Sequence, residues 1–336
     1  MWDSLNTRQF SFQSPLAEHI ETYIAEKHGT GVKFVAEAGR LQEIDRFFTA
    51  NGYTGSVVTK GLFNAWSAKR PNESESNRVL RVGTLQRFCG YLARMGLETY
   101  VSNVKLNYHT KEFKAYIFTD DEIGRLLTAA HEVKYSANSK VRHIVIPMLF
   151  TLLACTGLRI GEALSLKRAD VTFRGGVAFI FVRSTKYDKH RNIPLAPGLS
   201  AKLRDYLMEI SLKSPNNDLL FPSPSRQIYR HCSVQGIFSK LLWSAGISYG
   251  GPRKGPRIHD IRHTFSVKSL RKLALNREDP QRTYPFLSKY LGHKNLSATQ
   301  EYIQMTAELF PYIVKTMEDY CGHIVPPLEV RNAEAN

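Results

Sequence analysis

Cysteine is scarce in this sequence. Its four residues, Cys89, Cys155, Cys232 and Cys321, lie far apart and form no C-x-x-C pair. That spacing excludes a disulfide framework or a thiolate zinc site and fits reduced thiols in a cytoplasmic protein. Long apolar runs are also missing. The longest, Ile144 to Cys155, contains Pro147 and Thr151 and is too short to span a bilayer; it reads as a buried helix leading towards Arg159. The opening Met1-Trp2-Asp3-Ser4-Leu5 lacks the basic-then-apolar order of a secretory signal. No lipidation motif or basic amphipathic anchor stands out, so no membrane partner is expected. Repeats and low-complexity tracts are absent. Acidic residues are in short supply: 30 Asp and Glu face 46 Lys and Arg, a formal charge of +16 over 336 residues. An excess of that size calls for a polyanionic partner, most commonly nucleic acid. The length admits one or two domains, each able to bury a core.

What is present in the first third is helical periodicity. Residues 1–14 show none and read as an arm. Beyond Pro15, Leu16, Ile20, Tyr23 and Ile24 form one apolar stripe, and Leu41, Ile44, Phe47 and Phe48 form another. Asn51-Gly52 stops the second helix, and Thr59 caps a third through Trp66. A fourth runs from about Ser76 to Met95 with Leu80, Leu85, Phe88, Tyr91 and Leu92 inward. With no strand signal, residues 15–102 read as a small helical bundle. Residues 103–116 break the pattern and carry Lys105, Lys111 and Lys114, as a basic linker would.

The second domain opens on the capping box Thr119-Asp120-Asp121-Glu122. Alternation through Val171, Phe173, Val177, Phe179 and Phe181 predicts strands, with Gly175-Gly176 as the turn. The strand through Val182 turns at Lys186-Tyr187-Asp188-Lys189 and returns through Arg191 to Leu195. From Leu199 onward, helices alternate with Pro- and Gly-rich loops.

Most reactive side chains fall between Arg257 and Tyr302. His259 and Arg262 are three apart, so a helix stacks them on one face, while Ile261 and Phe265 mark a face that docks on a core. Gly292 is placed as the left-handed residue that ends a helix. Ser297 and Gln300 have capping-box spacing, which starts another helix carrying Tyr302 in its first turns. A distant segment, Thr156-Gly157-Leu158-Arg159-Ile160-Gly161-Glu162, sets an arginine just after a glycine break. Two guanidiniums, Arg159 and Arg262, suit the non-bridging oxygens of a phosphate in its transition state, being planar and permanently charged. The plain alternative pairs Arg159 with Glu162 one turn on. Tyr302 is one of sixteen tyrosines and reads equally as a core aromatic beside Ile303; as a nucleophile its phenol, with a pKa ordinarily near 10, would need help to lose its proton.

These residues resemble the tyrosine recombinase (phage integrase) family of DNA strand-transfer enzymes. The family pattern is an arginine in a T-G-L-R-x-x-E-like box and a lysine in a β-hairpin. An H-x-x-R box, an L-G-H, and a tyrosine nine residues beyond that histidine follow. Arg159, Lys186, His259, Arg262, His293 and Tyr302 fill those places in order, over roughly the last two thirds of the chain. The resemblance implies a mainly α fold with a small antiparallel β-sheet. A helical core-binding (SAM-like) DNA-binding domain would span residues 15–102, an α+β catalytic domain 117–325, and a tail 326–336. It implies that Lys186 protonates the departing 5′ oxygen, with Lys189 and Arg191 as rivals. His259 and His293 would bond the phosphate, and His259 is a candidate acceptor of the tyrosine proton. His263 has no role assigned, and Asp260 orients its neighbours.

The expected activity is site-specific recombination of double-stranded DNA through a 3′-phosphotyrosyl intermediate, serving integration, excision or transposition of a mobile element. Metal, ATP and cofactors are not required. The expected assembly is a homo-tetramer in the synaptic complex and a monomer or dimer when free. A helix from Pro311 through Ile313, Met317 and Tyr320 would either pack on its own domain or, as the resemblance implies, dock on the neighbouring protomer. Two other readings remain: a type IB topoisomerase-like enzyme and a non-catalytic DNA-binding protein. A zinc site on His259 and His263 ranks behind these, because Arg262 would set a cation beside the metal and a third ligand is not evident.

Overall fold

The apolar stripes of the first third become four helices in the computed structural model: α1 (Ala17–Gly29), α2 (Val35–Ala50), α3 (Lys60–Ser67) and α4 (Glu75–Arg94). The structure describes residues 10–32, 34–103, 115–183, 190–225, 227–250, 255–276, 280–292 and Tyr302. The chain divides into two units, residues 1–113 and 114–336. In the first, Leu16, Ile20, Leu41, Ile44, Phe48, Trp66, Leu85, Phe88 and Leu92 close one apolar core. Thr59 and Ser74 cap α3 and α4 by accepting from the amides of Leu62 and Asn77, at 3.3 and 3.2 Å. Gly52, at φ +63°, follows the end of α2.

Leu80 is not inward; it is 46% exposed. The inward face of α4 runs through Arg81, Leu85, Phe88 and Leu92, and Leu80 stands one residue, about 100°, off that line. Arg81 is buried because Glu73 meets it: both carboxylate oxygens accept from its guanidinium at 2.7 Å, and the carbonyls of Ala68 and Trp66 take further bonds. Those bonds hold the Glu73 carboxyl down at about 2.

The second unit starts with α5 (Asp120–His131), opened by the reciprocal bonds of Thr119 and Glu122 at 3.1 and 2.8 Å. Helix α6 (Arg142–Thr156) is buried from Ile144 through Leu153 and packs against α5 and the later helices α8 (Pro197–Lys213) and α10 (Ile258–Leu275). A one-turn-and-a-half α7 (Ile160–Ser165) and a 3-10 turn (Arg168–Asp170) lead into the sheet. Strands β1 (Val171–Arg174), β2 (Val177–Val182) and β3 (Arg191–Pro194) form an antiparallel meander in the order β1-β2-β3, with Ile180 opposite both Val171 and Ile193. Gly175 and Gly176 make the tight turn with φ of +55° and +81°. Helices α9 (His231–Ser244) and α11 (Pro280–Leu291) complete the unit.

Ala178, Ile180 and Val182 face the core, where β2 packs on α8, while Val177, Phe179 and Phe181 lie half-buried on the other face. That face is not bare: Arg174 covers Phe179, Arg183 covers Phe181 and Arg204 covers Phe173, with guanidinium carbons 6.0, 5.5 and 4.9 Å from the ring centroids. Cys89, Cys155 and Cys232 are free thiols. Among the described residues no helix is long and apolar enough to cross a membrane. Residues 1–9, most of the linker, Ser297, Gln300 and the Pro311–Tyr320 segment lie outside the described residues.

Candidate active site

The site grows from a helix end. Helix α6 stops at Gly157, whose φ of +61° favours glycine; a Cβ there would also sit 2.4 Å from the Phe265 ring. The chain reverses, and Arg159 occupies the N-cap of α7 with an extended backbone. Glu162 closes the turn: its Oε2 accepts from the Arg159 amide at 3.0 Å and its Oε1 from Arg159 Nη1 at 3.0 Å. The Arg159 guanidinium also reaches the Gly292 carbonyl, at 3.3 Å from both terminal nitrogens. Both sequence readings of Arg159 therefore hold at once. It pairs with Glu162, yet its side chain stays 40% exposed.

Helix α10 brings the second group. Buried Asp260 accepts from the Arg257 amide at 2.8 Å and from its guanidinium at 3.3 Å, fixing the helix start. Thr264 Oγ accepts from the Phe118 amide at 3.0 Å and donates to the Asp260 carbonyl at 2.8 Å, tying α10 to the segment before α5. Arg262 is 2% exposed. It donates to the carbonyls of Gly157 and Leu291 at 2.8 and 2.7 Å, so one side chain joins the ends of α6 and α11. It also donates towards the Tyr302 hydroxyl. Burial, then the nearby Arg159 charge, pulls its pKa down to about 10, which leaves it cationic at neutral pH.

Tyr302 is 4% exposed and packs with Val267, Leu270, Leu287 and Leu291. The His263 ring lies 5.4 Å from the Tyr302 ring and 4.8 Å from that of His259. Burial, followed by the charges of His263, Arg262, Arg159 and Arg257, pushes His259 down to about 4. Burial and the charges of Arg257 and Arg262 do the same to His263. Both imidazoles are thus neutral near pH 7. A neutral imidazole carries one donor and one acceptor nitrogen, and the His263 ring lies against that of Tyr302.

The structure brings Arg159, His259, Arg262 and Tyr302 together; Lys186, Lys189 and His293 lie outside the described residues. It also shows the surroundings of Arg191, which the sequence offered only as a rival general acid. The Arg191 side chain, 9% exposed, turns inward. Its Nε donates to the Tyr290 carbonyl at 2.8 Å, and Nη1 and Nη2 donate to the two Glu162 oxygens at 3.1 and 2.8 Å. The sequence signal was available, since Arg191 shares a strand face with buried Ile193, and a charge on a core-facing position requires a partner. The guanidiniums of Arg159 and Arg191 thus both pair with one carboxylate, while Arg262 stands within charge range of Arg159 and Glu162; positive charge exceeds negative in this cluster, which suits an added anion. Among the described residues no group of three His, Cys, Asp or Glu side chains converges to hold a metal ion.

Comparison with known proteins points the same way. A model of the Phage integrase family matches residues 117–308. The putative integrase/recombinase y4rB of Sinorhizobium fredii (strain NBRC 101917 / NGR234) is 31% identical over 312 residues, covering 91% of this chain and 98% of that one. The crystal structure of the XerH site-specific recombinase bound to a palindromic difH substrate, a post-cleavage complex, aligns with a TM-score of 0.60 at 20% identity over 84% of this chain and 78% of that one. A lambda integrase tetramer bound to a Holliday junction aligns at 0.54 and 16% identity, over 85% and 76% of the two chains. At these identities the two structures establish the fold.

Proposed function

The chain belongs to the phage integrase family, and on that premise we propose that it is a site-specific DNA recombinase whose nucleophile is Tyr302. The phenol oxygen attacks the scissile phosphorus, a 3′-phosphotyrosyl bond forms, and the bond to the 5′ oxygen breaks. The tyrosine proton passes to His259, and the leaving oxygen takes its proton from Lys186 on the β2–β3 hairpin, with Lys189 as the alternative donor. Arg159 and Arg262 hold the non-bridging oxygens, joined by His293. The 5′ hydroxyl of a partner strand then attacks the phosphotyrosyl, releasing Tyr302 and completing exchange. The ester keeps the bond energy, so neither nucleotide nor metal is required; the guanidiniums supply the charge stabilisation that a divalent ion would otherwise give.

The observation that carries this reading is the pair of guanidiniums on Glu162, Arg159 and Arg191, with a third, Arg262, within charge range and bonded towards the Tyr302 hydroxyl. The excess of basic residues supports a duplex DNA partner whose phosphates dominate affinity. Residues 15–102 and 117–325 would clamp that duplex, joined by the basic 103–116 linker. Four active sites on two duplexes give a homo-tetramer in the synaptic complex. A mobile-element role, in integration, excision or transposition, is part of this proposal, supported by the similarity to y4rB, whose name is that of a putative integrase/recombinase.

Strand exchange between two labelled duplexes carrying sites from the flanks of its own element tests the proposal, run with and without a strong chelator. Recombinant joints in both conditions are expected. Relaxation of supercoiled DNA without joints would make the chain a topoisomerase-like enzyme. Binding without cleavage would make it a non-catalytic DNA-binding protein, and loss of cleavage restored by zinc would restore the metal reading of the histidines.

A further inference from the structure

Arg191 sits at the base of the return strand, carries no role in the chemistry above, and is nearly as buried as the core around it. Its bonds are unusually complete. The two terminal nitrogens meet both oxygens of Glu162 in a bidentate pair, and Nε holds the last turn of α11 through the Tyr290 carbonyl. The fit extends to Gly292: a Cβ there would lie 2.6 Å from Arg191 Nη1, so the end of α11 closes directly onto this guanidinium.

Glu162 is shared. It accepts from Arg159 through backbone and side chain, and it is the carboxylate nearest that arginine. With Arg159 as its only cationic partner, Glu162 would neutralise it in a half-buried setting, where charge pairs are strong. A neutralised Arg159 is a weaker ligand for a phosphate. With Arg191 present, the carboxylate has a second and more buried counterion, its charge is met, and the positive field of Arg159 survives.

We propose that Arg191 is a positioning residue that takes Glu162 as its counterion and seats the end of α11, leaving Arg159 oriented and charged for the scissile phosphate. This rests on the reading of Arg159 as a phosphate clamp. Arg191 itself touches no reacting atom, and its inward bonds remove it from the candidates for general acid. It also links the root of the hairpin that carries Lys186 to the two arginine boxes by a single side chain.

The test uses the full-length chain on nicked suicide substrates, with single-turnover adduct formation read against gel-shift affinity. The scissile linkage is either a normal phosphate or a methylphosphonate, which removes the charge that Arg159 must meet. Arg191→Met should bind DNA within about twofold of wild type. Its adduct formation on phosphate should slow by about 100-fold, and by less than about 10-fold on methylphosphonate. Adding Glu162→Gln, which keeps an acceptor for the Arg159 amide but removes the quenching charge, should recover at least about 10-fold of the loss on phosphate. Arg191→Lys keeps a charge beside Glu162 but not the fork, and should fall between wild type and Arg191→Met. If Arg191→Met proves too unstable to assay, Arg191→Lys carries the test, slowing more on phosphate than on methylphosphonate and regaining rate on phosphate when Glu162→Gln is added. Equal slowing on both linkages with no gain from Glu162→Gln, or wild-type rates in Arg191→Met, would overturn the proposal. A wild-type chain that forms no adduct would instead remove the recombinase reading, and this inference with it.

Discussion

Gly157 is the residue on which the two arginine boxes hinge. Its carbonyl accepts from Arg262, its φ is positive, and Phe265 fills the space a side chain would need. Gly157→Ala should destabilise the second unit by at least about 1–2 kcal/mol from the left-handed backbone alone, with the ring contact adding to it. Urea denaturation of the variant measures this, and an unchanged midpoint would contradict the account. At this scale the sequence was legible through the resemblance, whose boxes point to Arg159, His259, Arg262 and Tyr302, and the structure sets these four near one another. Arg191 was named only as a rival for the general-acid role, for a traceable reason. Its counterion Glu162 lies 29 residues earlier in the chain, beyond what local spacing reports, and the register pairs Arg191 with inward Val182.

The elements show what local sequence decides and what packing decides. Capping residues and glycine stops were readable because they satisfy backbone groups within a few residues. Thr59, the Thr119–Glu122 box, Gly175-Gly176 and Gly292 all stand where the sequence placed them. Inward faces were less readable. In β2 it is Ala178, Ile180 and Val182 that face the core, while arginines cover the rings of Phe179 and Phe181. Leu80 lost its place to Arg81 because Glu73, beyond the helix start, supplies a partner that periodicity does not report. Helix α10 depends on a similar long-range contact. Thr264→Val keeps the shape but leaves the buried Phe118 amide without its acceptor, which should cost about 1–3 kcal/mol. It should also slow DNA cleavage, because α10 carries His259 and Arg262. A thermal melt and a cleavage time course on the same preparation check both effects; wild-type values in both would show that this contact positions nothing.

For the whole molecule, charge sets the behaviour. His259 and His263 stand at about 4 against an ordinary value of 6.5, so the unfolded chain binds protons that the folded chain resists. Stability should therefore fall as pH drops from about 6.5 towards 4, at no more than about 1.4 kcal/mol per pH unit for His263, the more enclosed of the two. Glu73, held at about 2, begins to withdraw its contribution only below its ordinary value of 4.5. The window between pH 6.5 and 4.5 therefore separates the histidines from Glu73. Urea midpoints at pH 7 and 5 should differ for the wild type and differ less for His263→Gln, and equal shifts in the two would contradict neutral buried imidazoles. Charge also defines the catalytic claim, since the arginines surround a place where a phosphate and the Tyr302 oxygen would meet. The most direct test traps the chain on a nicked suicide duplex, digests it, and sequences the nucleotide-bearing peptide by mass spectrometry. The account requires one adduct, on Tyr302, lost in Tyr302→Phe while DNA affinity is kept. An adduct on any other tyrosine, or one that persists in Tyr302→Phe, would contradict it.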